Sequence, residues 1–388
     1  MNRKQLTLLI VVAAVLGVLG WVAYQKQAEP YKESAQKIGG KFLPNFPLND
    51  VEQIVIKQGT TSATLAKKND VWVVADRGDH PANFDTISDV LRKFWELKVA
   101  KPVKTGPSRL PALELVAPDK GPGTLVEFKD KSGKVINSVL LGAKSMKQAG
   151  EASPFGGGGF PDGRYVMLGS DVQTVALVAE AFSNVEAKPE DWLDKKEWFK
   201  VEKLKSVSVT AAQATNSWKL SRETETGEWK LADAKAGEVL DNGKSGSATS
   251  ALSYPSFTDI ATNTAPAATG MDKPIVARLE TFDGFLYTAK VGKAEGENHY
   301  FQIAAEGQFP KERTPGKDEK AEDKEKLDKE FAANTKKLQD KLAAVKAHEK
   351  WTYLVSKWTV DAFLKERKDL LADKKEEPSA EPKSDAKP

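Results

Sequence analysis

An unbroken apolar run lies near the start of the chain. The nineteen residues from Leu6 to Tyr24 carry no charge. As a helix they would be about 28 Å long, close to the hydrocarbon thickness of a bilayer. The run is longer than the apolar core of a typical signal peptide, and no small-x-small cleavage site follows it. We therefore expect residues 1–27 to form an uncleaved single-pass anchor and residues 28–41 to form a polar stalk.

From Phe42 onward, hydrophobic and polar residues alternate. The alternation predicts a three-strand meander over residues 51–76, with turns at 59–61 and at 69–70. The period then changes to that of a helix with one apolar face, for which Asn83 or Asp85 can act as the N-cap. Strand patterns resume at 124–130, 135–142, 164–168 and 173–182. The pattern indicates a mostly antiparallel β-meander plus one helix.

The same pattern occurs twice. Trp72–Asp76 recurs as Trp229–Asp233, and the strand before it, "SATLAK", recurs as "SWKLSR". The hairpin ending "VLLG" at Gly142 recurs as "AKVG" at Gly292. Since the order is kept and the spacing changes by only a few residues, we predict an internal repeat. The predicted fold class is α+β, with an N-terminal transmembrane helix followed by two tandem copies of the meander-plus-helix domain.

The second copy differs from the first in its last hairpin. A short turn at Gly169–Asp171 closes this hairpin in the first copy, whereas a long charged segment separates Glu306 from Trp351 in the second. We predict a helical insertion whose narrow apolar stripe packs on its own domain or on a partner helix. The predicted domains are a first repeat at 42–188, a second repeat at 189–371 with the insertion at 307–350, and a polar, disordered tail at 372–388.

Composition excludes several kinds of site. With 58 basic and 55 acidic residues the net charge is only +3, which gives no reason to expect nucleic-acid binding. The chain has no cysteine, so disulfides, thiolate zinc sites and thiol nucleophiles are excluded. The three histidines, His80, His299 and His348, are predicted on a turn, a strand and the inserted helix. None has a second ligand-type residue at metal-site spacing, so we expect surface positions and no metal.

The glycine-rich segments do not match cofactor motifs. Gly243–Ser245 resembles the end of a P-loop, but Glu238 stands where that motif needs glycine. The loop at 155–163 has no following helix to hold a phosphate, although its phenylalanines are available for apolar contacts. No G-x-S-x-G elbow is present. We predict no catalytic, cofactor-binding or metal-binding residues.

An alternative function uses carboxylates. Asp162, Glu190 and Asp191 are candidates for acid/base work in an envelope carbohydrate-binding protein or hydrolase. Such a pair acts only when the two groups are held about 5 to 10 Å apart in a cleft. The sequence does not show whether that happens.

The assembled features resemble the bacterial family called domain of unknown function 4340. The likeness rests on the N-terminal span, "FPLNDVEQIVI", the W-x-[VL]-A-D hairpin end, "YVMLGSDVQTVALV" and "PEDWLDKKEWFKVEKLKSVSV". It extends from Phe42 to about Leu371, and the insertion at 307–350 departs from it. The family has no established catalytic residues, so none are carried over.

The resemblance implies a membrane-anchored extracytoplasmic protein linked with auxiliary components of gliding-motility-type ABC transporters. We accordingly expect a single-pass protein of the inner (cytoplasmic) membrane with most of its chain outside. The expected role is that of a non-enzymatic accessory or scaffold protein that binds an envelope protein such as a transporter subunit. Lysines after the span favour the opposite orientation, but long domains translocate largely regardless of such charges.

Overall fold

The computed structural model describes residues 13–22, 35–147, 160–196, 198–211, 213–316 and 319–373. Residues 13–22 are helical. Within the described ranges, no helix has both the length and the apolar character needed to cross a bilayer. Much of the predicted span Leu6–Tyr24 lies outside these ranges, as do half of the predicted stalk and most of the predicted tail. The chain divides into two compact units, Met1–Asp194 and Lys195–Pro388.

The first unit contains a nine-stranded sheet in which all neighbours are antiparallel. The strand order is β4-β3-β2-β1-β6-β7-β8-β9-β5. A type I′-like turn with positive φ at Asn69 and Asp70 joins β2 to β3, as tight hairpins require. The strands are β1 (Gln53–Gln58), β2 (Thr61–Lys68), β3 (Val71–Val74), β4 (His80–Pro81), β5 (Val99–Pro102), β6 (Thr124–Lys129), β7 (Val135–Lys147), β8 (Phe160–Leu168) and β9 (Ala176–Val178).

Helix α1 (Phe84–Glu96) covers this sheet. The Asn83 side chain caps it by accepting a hydrogen bond of 3.2 Å from the backbone N–H of Thr86, which satisfies one of the free donors of the first turn. Phe94 lies in the core with its ring centroid 5.0 Å from that of Phe128 on β6. The predicted apolar face is therefore largely buried, although Phe84 and Trp95 at its margins remain exposed.

The second unit contains an eight-stranded antiparallel sheet in the order β12-β11-β10-β14-β15-β16-β17-β13. Its strands are β10 (Leu204–Thr210), β11 (Trp218–Ser221), β12 (Lys230–Leu231), β13 (Asp259–Ala261), β14 (Ile275–Thr281), β15 (Phe285–Glu295), β16 (Asn298–Gly307) and β17 (Thr352–Ser356). Its helices are α2 (Gly246–Thr249), α3 (Pro266–Thr269), α4 (Ala321–Ala347) and α5 (Lys357–Leu364).

The two sheets have the same strand order once the edge strand β4 is set aside. Equivalent residues also occupy equivalent registers. Leu65 pairs with Val74 between β2 and β3, and Leu220 pairs with Leu231 between β11 and β12. These are the positions that the sequence repeat aligns. The protein is thus an α+β structure built on two antiparallel sheets with few helices.

A bulge at one glycine is common to both sheets. The register shifts between Leu141 and Lys144 in β7, and again between Val291 and Ala294 in β15. Each shift contains the aligned glycine, Gly142 or Gly292. A backbone carbonyl, that of Leu113 or of Thr269, lies where a Cβ would be. Only glycine allows this approach of a loop to the sheet.

The helix that precedes the last strand in each sheet order, β5 in the first unit and β13 in the second, differs in length between the units. In the first unit α1 has 13 residues, whereas α2, at the corresponding place before β13, has only four. The segment around α2 is rich in glycine, serine and threonine, which are weak formers of helix interiors. The expectation of a full helix in both copies is therefore wrong for the second.

The inserted helix α4 packs on its own unit through its C-terminal half. Val345 is buried, and the Nζ atom of Lys341 lies 3.0 Å from a carboxylate oxygen of Glu202. At the other end, Arg313 bonds to Glu319 and, at 2.7 Å, to Asp328. The Arg313 contacts lie within the insertion, whereas Val345 and the Lys341–Glu202 pair hold the C-terminal half of α4 on its own domain, the first of the two arrangements that the pattern left open.

The tryptophans of "EDWLDKKEWF" belong to different units. Trp192 is buried in the first unit and donates a hydrogen bond of 3.0 Å to the Glu186 carbonyl. Trp198 packs on aromatic rings of the second unit, including Tyr353 at a centroid distance of 5.0 Å. The sequence placed the start of the second repeat at residue 189, whereas the second compact unit begins at Lys195.

A buried arginine near the C-terminal end of the second unit forms ion pairs with two carboxylates. Arg367 donates to the Asp233 carboxylate at 2.9 Å and to the Glu238 carboxylate at 2.7 Å. Hydrogen bonds from Arg367 lower the pKa of Glu238 to about 2 from an ordinary value of 4.5. A carboxyl whose pKa falls on folding stabilises the folded state above its unfolded pKa, and this contribution is lost as the pH falls towards the folded pKa.

Replacing the bulge glycine of the second unit should destabilise it. We expect Gly292→Ala to lower the free energy of unfolding by about 1–3 kcal/mol, because the new methyl group overlaps the Thr269 carbonyl. Gly246→Ala is the matched control, since a Cβ at Gly246 meets open space. Urea unfolding of the two variants checks this, and equal stabilities would contradict it.

The Arg367 contact should make stability depend on acid. We expect Glu238→Gln to be less stable than the natural chain near pH 6, and the difference to shrink towards about pH 2, where the native carboxyl also becomes neutral. Denaturant unfolding across this range measures the difference. Glu223→Gln, which removes only a long, exposed contact with Lys230, serves as control. If the stability difference between Glu238→Gln and the natural chain did not change with pH, the Glu238 carboxylate would not be the group that Arg367 stabilises.

Candidate functional site

A groove lined by exposed aromatic rings lies on the second unit, between α2 with its following loop and α5. Tyr254 is 94% exposed and Trp358 is 86% exposed, the highest values among the large hydrophobic side chains described. The groove has a volume of about 490 Å³ and is lined by Ser247, residues 250–255, Trp358, Thr359, Asp361 and Ala362. We call it the aromatic groove. Its volume lies within the range of about 300–1,000 Å³ that is typical of ligand sites.

Helix α5 fixes one wall of the groove. Val360 and Phe363 are buried on its inner side. Trp358 and Asp361 are three residues apart, so they are neighbours on the helix surface, and both line the groove. Because the inner side is held in the core, the outer side presents its tryptophan and its carboxylate in a fixed relation.

A strained turn fixes the opposite wall. Leu252 has a φ of +57° and is nevertheless buried. A bulky residue in this region costs about 1–3 kcal/mol, so the surrounding structure must hold it there. Its carbonyl accepts a hydrogen bond of 2.8 Å from the Val201 N–H. Two residues later, Tyr254 is turned out into solvent.

Polar groups surround the aromatic rings. The Ser250 hydroxyl donates to the Gly246 carbonyl and the Ser253 hydroxyl to the Ser250 carbonyl, both at 2.8 Å. Each hydroxyl keeps lone pairs that can accept a hydrogen bond. Within the described ranges, the Asp361 carboxylate has no ion pair and no hydrogen bond. The arrangement can bind an apolar or ring-shaped group and one cationic or hydrogen-bonding group beside it.

The three candidate carboxylates do not share a buried cleft. Glu190 is half-buried and lies 3.1 Å from the Arg77 guanidinium. Asp162 on β8 and Asp191 on the turn at 189–192 are both exposed. The contact of Glu190 with Arg77 joins two turns of the first unit and is a structural role.

None of the three histidines lines the aromatic groove. His80 is fully buried on β4, so the predicted surface position on a turn is wrong for this residue. His299 is on β16, and His348 ends α4 with its Nδ1 atom 3.1 Å from the Tyr353 hydroxyl. No cluster of three or more metal-ligating side chains forms within the described part of the chain.

In the P-loop-like segment at 243–245, the backbone N–H groups already bind a carboxylate of the chain. The Asp241 carboxylate accepts hydrogen bonds from the N–H groups of Gly243 and Lys244, at 2.8 and 2.9 Å. The Lys244 ammonium group is held by Asp373. These contacts occupy the groups that a phosphate would need. In the glycine-rich loop, residues 155–159 lie outside the described ranges, and Phe160 is exposed.

Neither Tyr254 nor Trp358 belongs to a sequence motif that predicts a functional site. Trp358 falls off the apolar stripe formed by Val360 and Phe363, and a tryptophan off the stripe is a signal for an exposed ring. Tyr254 precedes a proline in a serine-rich segment, which also indicates a surface loop. What the pattern does not show is that both rings border one groove.

The chain was compared with models of known protein families, with curated proteins and with solved structures. The family model described as domain of unknown function (DUF4340) matches residues 72–274. The chain belongs to this family. The match covers parts of both units and includes Tyr254, while Trp358 lies beyond it. No curated protein and no solved structure matches the chain, so the DUF4340 assignment transfers no residue roles.

The groove rings should be dispensable for folding. We expect Tyr254→Ala and Trp358→Ala to change the free energy of unfolding by no more than about 0.5 kcal/mol, because both rings are exposed. Phe363→Ala on the same helix should cost about 3–5 kcal/mol, because that ring is buried. Denaturant unfolding tests both expectations. A large loss of stability in Trp358→Ala would mean that the ring has a structural role.

Proposed function

We propose that the chain is an accessory or scaffold protein that binds another envelope component in the aromatic groove. In this proposal Leu6–Tyr24 anchors it in the cytoplasmic membrane, and residues 28–388 lie outside the cytoplasm. The observation that carries the proposal is the pair Tyr254 and Trp358, two almost fully exposed rings on one groove.

Exposed aromatic rings in a groove favour binding for a physical reason. Single exposed hydrophobic residues are common on protein surfaces, but adjacent ones that border a concavity are characteristic of interaction sites. Tyrosine and tryptophan bury a large area on binding and lose little conformational entropy. Tyr254 and Trp358 can therefore supply most of the binding free energy of a small interface.

The matching strand orders support a tandem duplication. In this proposal the first unit keeps a full helix on its sheet and acts as a scaffold. The second unit has lost most of that helix and has gained α4 and α5. The binding site arose where the copies diverged.

Binding accounts for the groove better than catalysis does. Asp361 is the one carboxylate among the residues that line it, whereas glycoside hydrolysis uses two. The alternative function, an envelope carbohydrate-binding protein, would use the same two rings. Identifying the bound molecule as a protein or a carbohydrate distinguishes the two functions. An auxiliary role in ABC-type transport is an expectation from the family resemblance alone.

A single-cysteine variant tests the location and the binding together. The natural chain has no cysteine, so Ser247→Cys, at an exposed position of the groove, carries the only thiol. We expect a membrane-impermeant maleimide to label it in intact spheroplasts. We also expect a benzophenone maleimide attached there to form one defined photo-adduct in native membranes, detected by gel shift and identified by mass spectrometry.

The matched control is the double variant Ser247→Cys/Trp358→Ala, which keeps the thiol and removes one ring. The adduct should fall about tenfold if Trp358 supplies roughly 1.4 kcal/mol of binding. Labelling only after lysis would overturn the proposed location. An adduct whose yield does not depend on Trp358 would overturn the groove as the binding site.

A further inference from the structure

The chain leaves the described structure beside the aromatic groove. Leu371 forms a β-bridge with Leu240. The Lys244 ammonium group donates to the Leu371 carbonyl at 3.1 Å and to the Asp373 carboxylate at 2.7 Å. Asp373 is therefore held next to the start of α2, whose Ser247 lines the groove.

The following segment is long enough to enter the groove. Lys244 and Ser247 are three residues apart, so their Cα atoms are separated by at most about 11 Å. In a polyproline II conformation, with a rise of 3.1 Å per residue, the nine residues that follow Asp373, as far as Pro382, would extend about 28 Å. The exit point and the groove are thus within reach of each other.

The sequence of residues 374–388, "KKEEPSAEPKSDAKP", suits an aromatic groove. It has prolines at Pro378 and Pro382 and no aromatic residue of its own. Proline-bearing segments dock in grooves lined by aromatic rings, because their preformed conformation loses little entropy on binding. Tyr254 and Trp358 provide two such rings.

Opposite charges on Asp361 and Lys383 favour one position of the segment in the groove. Asp361 is free of ion pairs among the described residues and lies beside Trp358 on the surface of α5. Lys383 directly follows Pro382. With Pro382 stacked on Trp358, the Lys383 side chain is long enough to reach the Asp361 carboxylate. An exposed pair of this kind adds little affinity, but it selects orientation.

We propose that Pro378–Lys383 docks in the aromatic groove of its own chain and competes there with the external component. The competition rests on the proposed function, and the docking itself does not. A tethered segment has an effective concentration in the millimolar range, so even weak contacts keep it in the groove. An external component then binds only if it displaces the segment.

Disulfide trapping tests the docking on the full chain in mild detergent. The double variant Ser247→Cys/Ser379→Cys has two thiols and no others. We expect its intramolecular disulfide to form about tenfold faster than that of Asn242→Cys/Ser379→Cys. Asn242 is the matched control, because it is exposed and even closer to Lys244 in sequence than Ser247 is, but does not line the groove. Adding Trp358→Ala, or Pro378→Ala with Pro382→Ala, should reduce the rate to that of the control.

Any of the following results would contradict docking of the segment in the aromatic groove. Equal rates for the two cysteine pairs would mean that the segment does not prefer the groove, and a rate insensitive to both sets of substitutions would mean the same. Disulfide-linked dimers that increase with protein concentration would assign the groove to a second copy. Binding of chitotetraose by calorimetry, without a preference for the Ser247 pair, would assign it to a carbohydrate.

The failure of this inference can be told from the failure of the proposed function. In a chain that lacks residues 374–388, the dependence of the Ser247→Cys photo-adduct on Trp358 tests the proposed function without any contribution from the segment. If the segment competes, removing residues 374–388 should raise the adduct yield several-fold. An unchanged yield together with fast trapping would overturn the competition and leave the docking in place.

Discussion

Each unit must cover one face of a long antiparallel sheet, and the rest of the structure depends on how it does so. Along β6 of the first unit, buried and half-buried residues alternate strictly, so half of the side chains need a partner layer. In the first unit α1 supplies that layer, with Phe94 against Phe128. In the second unit a cluster of aromatic rings around Trp198 and Tyr353, together with α5, does the same work.

The change of covering layer explains where the groove lies. With α2 reduced to one turn, the chain reaches β13 through a loop that turns at Leu252, and α5 packs on α2 from the other side. Both elements are fixed by buried residues on their inner sides. Their outer sides are then free to carry Tyr254 and Trp358 at no cost to the core. The strained backbone at Leu252 is held by its buried side chain and by the hydrogen bond that its carbonyl accepts from the Val201 N–H.

The bulge glycines link the sequence repeat to the architecture. At Gly142 and Gly292 a loop carbonyl approaches the sheet so closely that no side chain fits. The two loops differ, one formed by short 3-10 turns and the other by α3. The requirement for glycine is nevertheless the same, since it comes from the backbone approach rather than from the side chains of either loop. The Arg367 contact with Asp233 and Glu238 has no such counterpart at Asp76, whose carboxylate accepts from the Thr64 N–H.

Local pattern by itself determined most of the longer strands, the α1 helix with its Asn83 cap, the repeat and the family, because alternation, capping and glycine placement are properties of neighbouring residues. It also located the insertion that separates β16 from β17. It did not show the short edge strands β4, β5 and β13. Tertiary structure alone decided that His80 is buried and that Glu190 lies against Arg77 rather than beside a second catalytic carboxylate. Above all it decided that Tyr254 and Trp358, about a hundred residues apart in the sequence, border one groove. Nothing local encodes this, because the pairing of distant strands sets which surface loops meet.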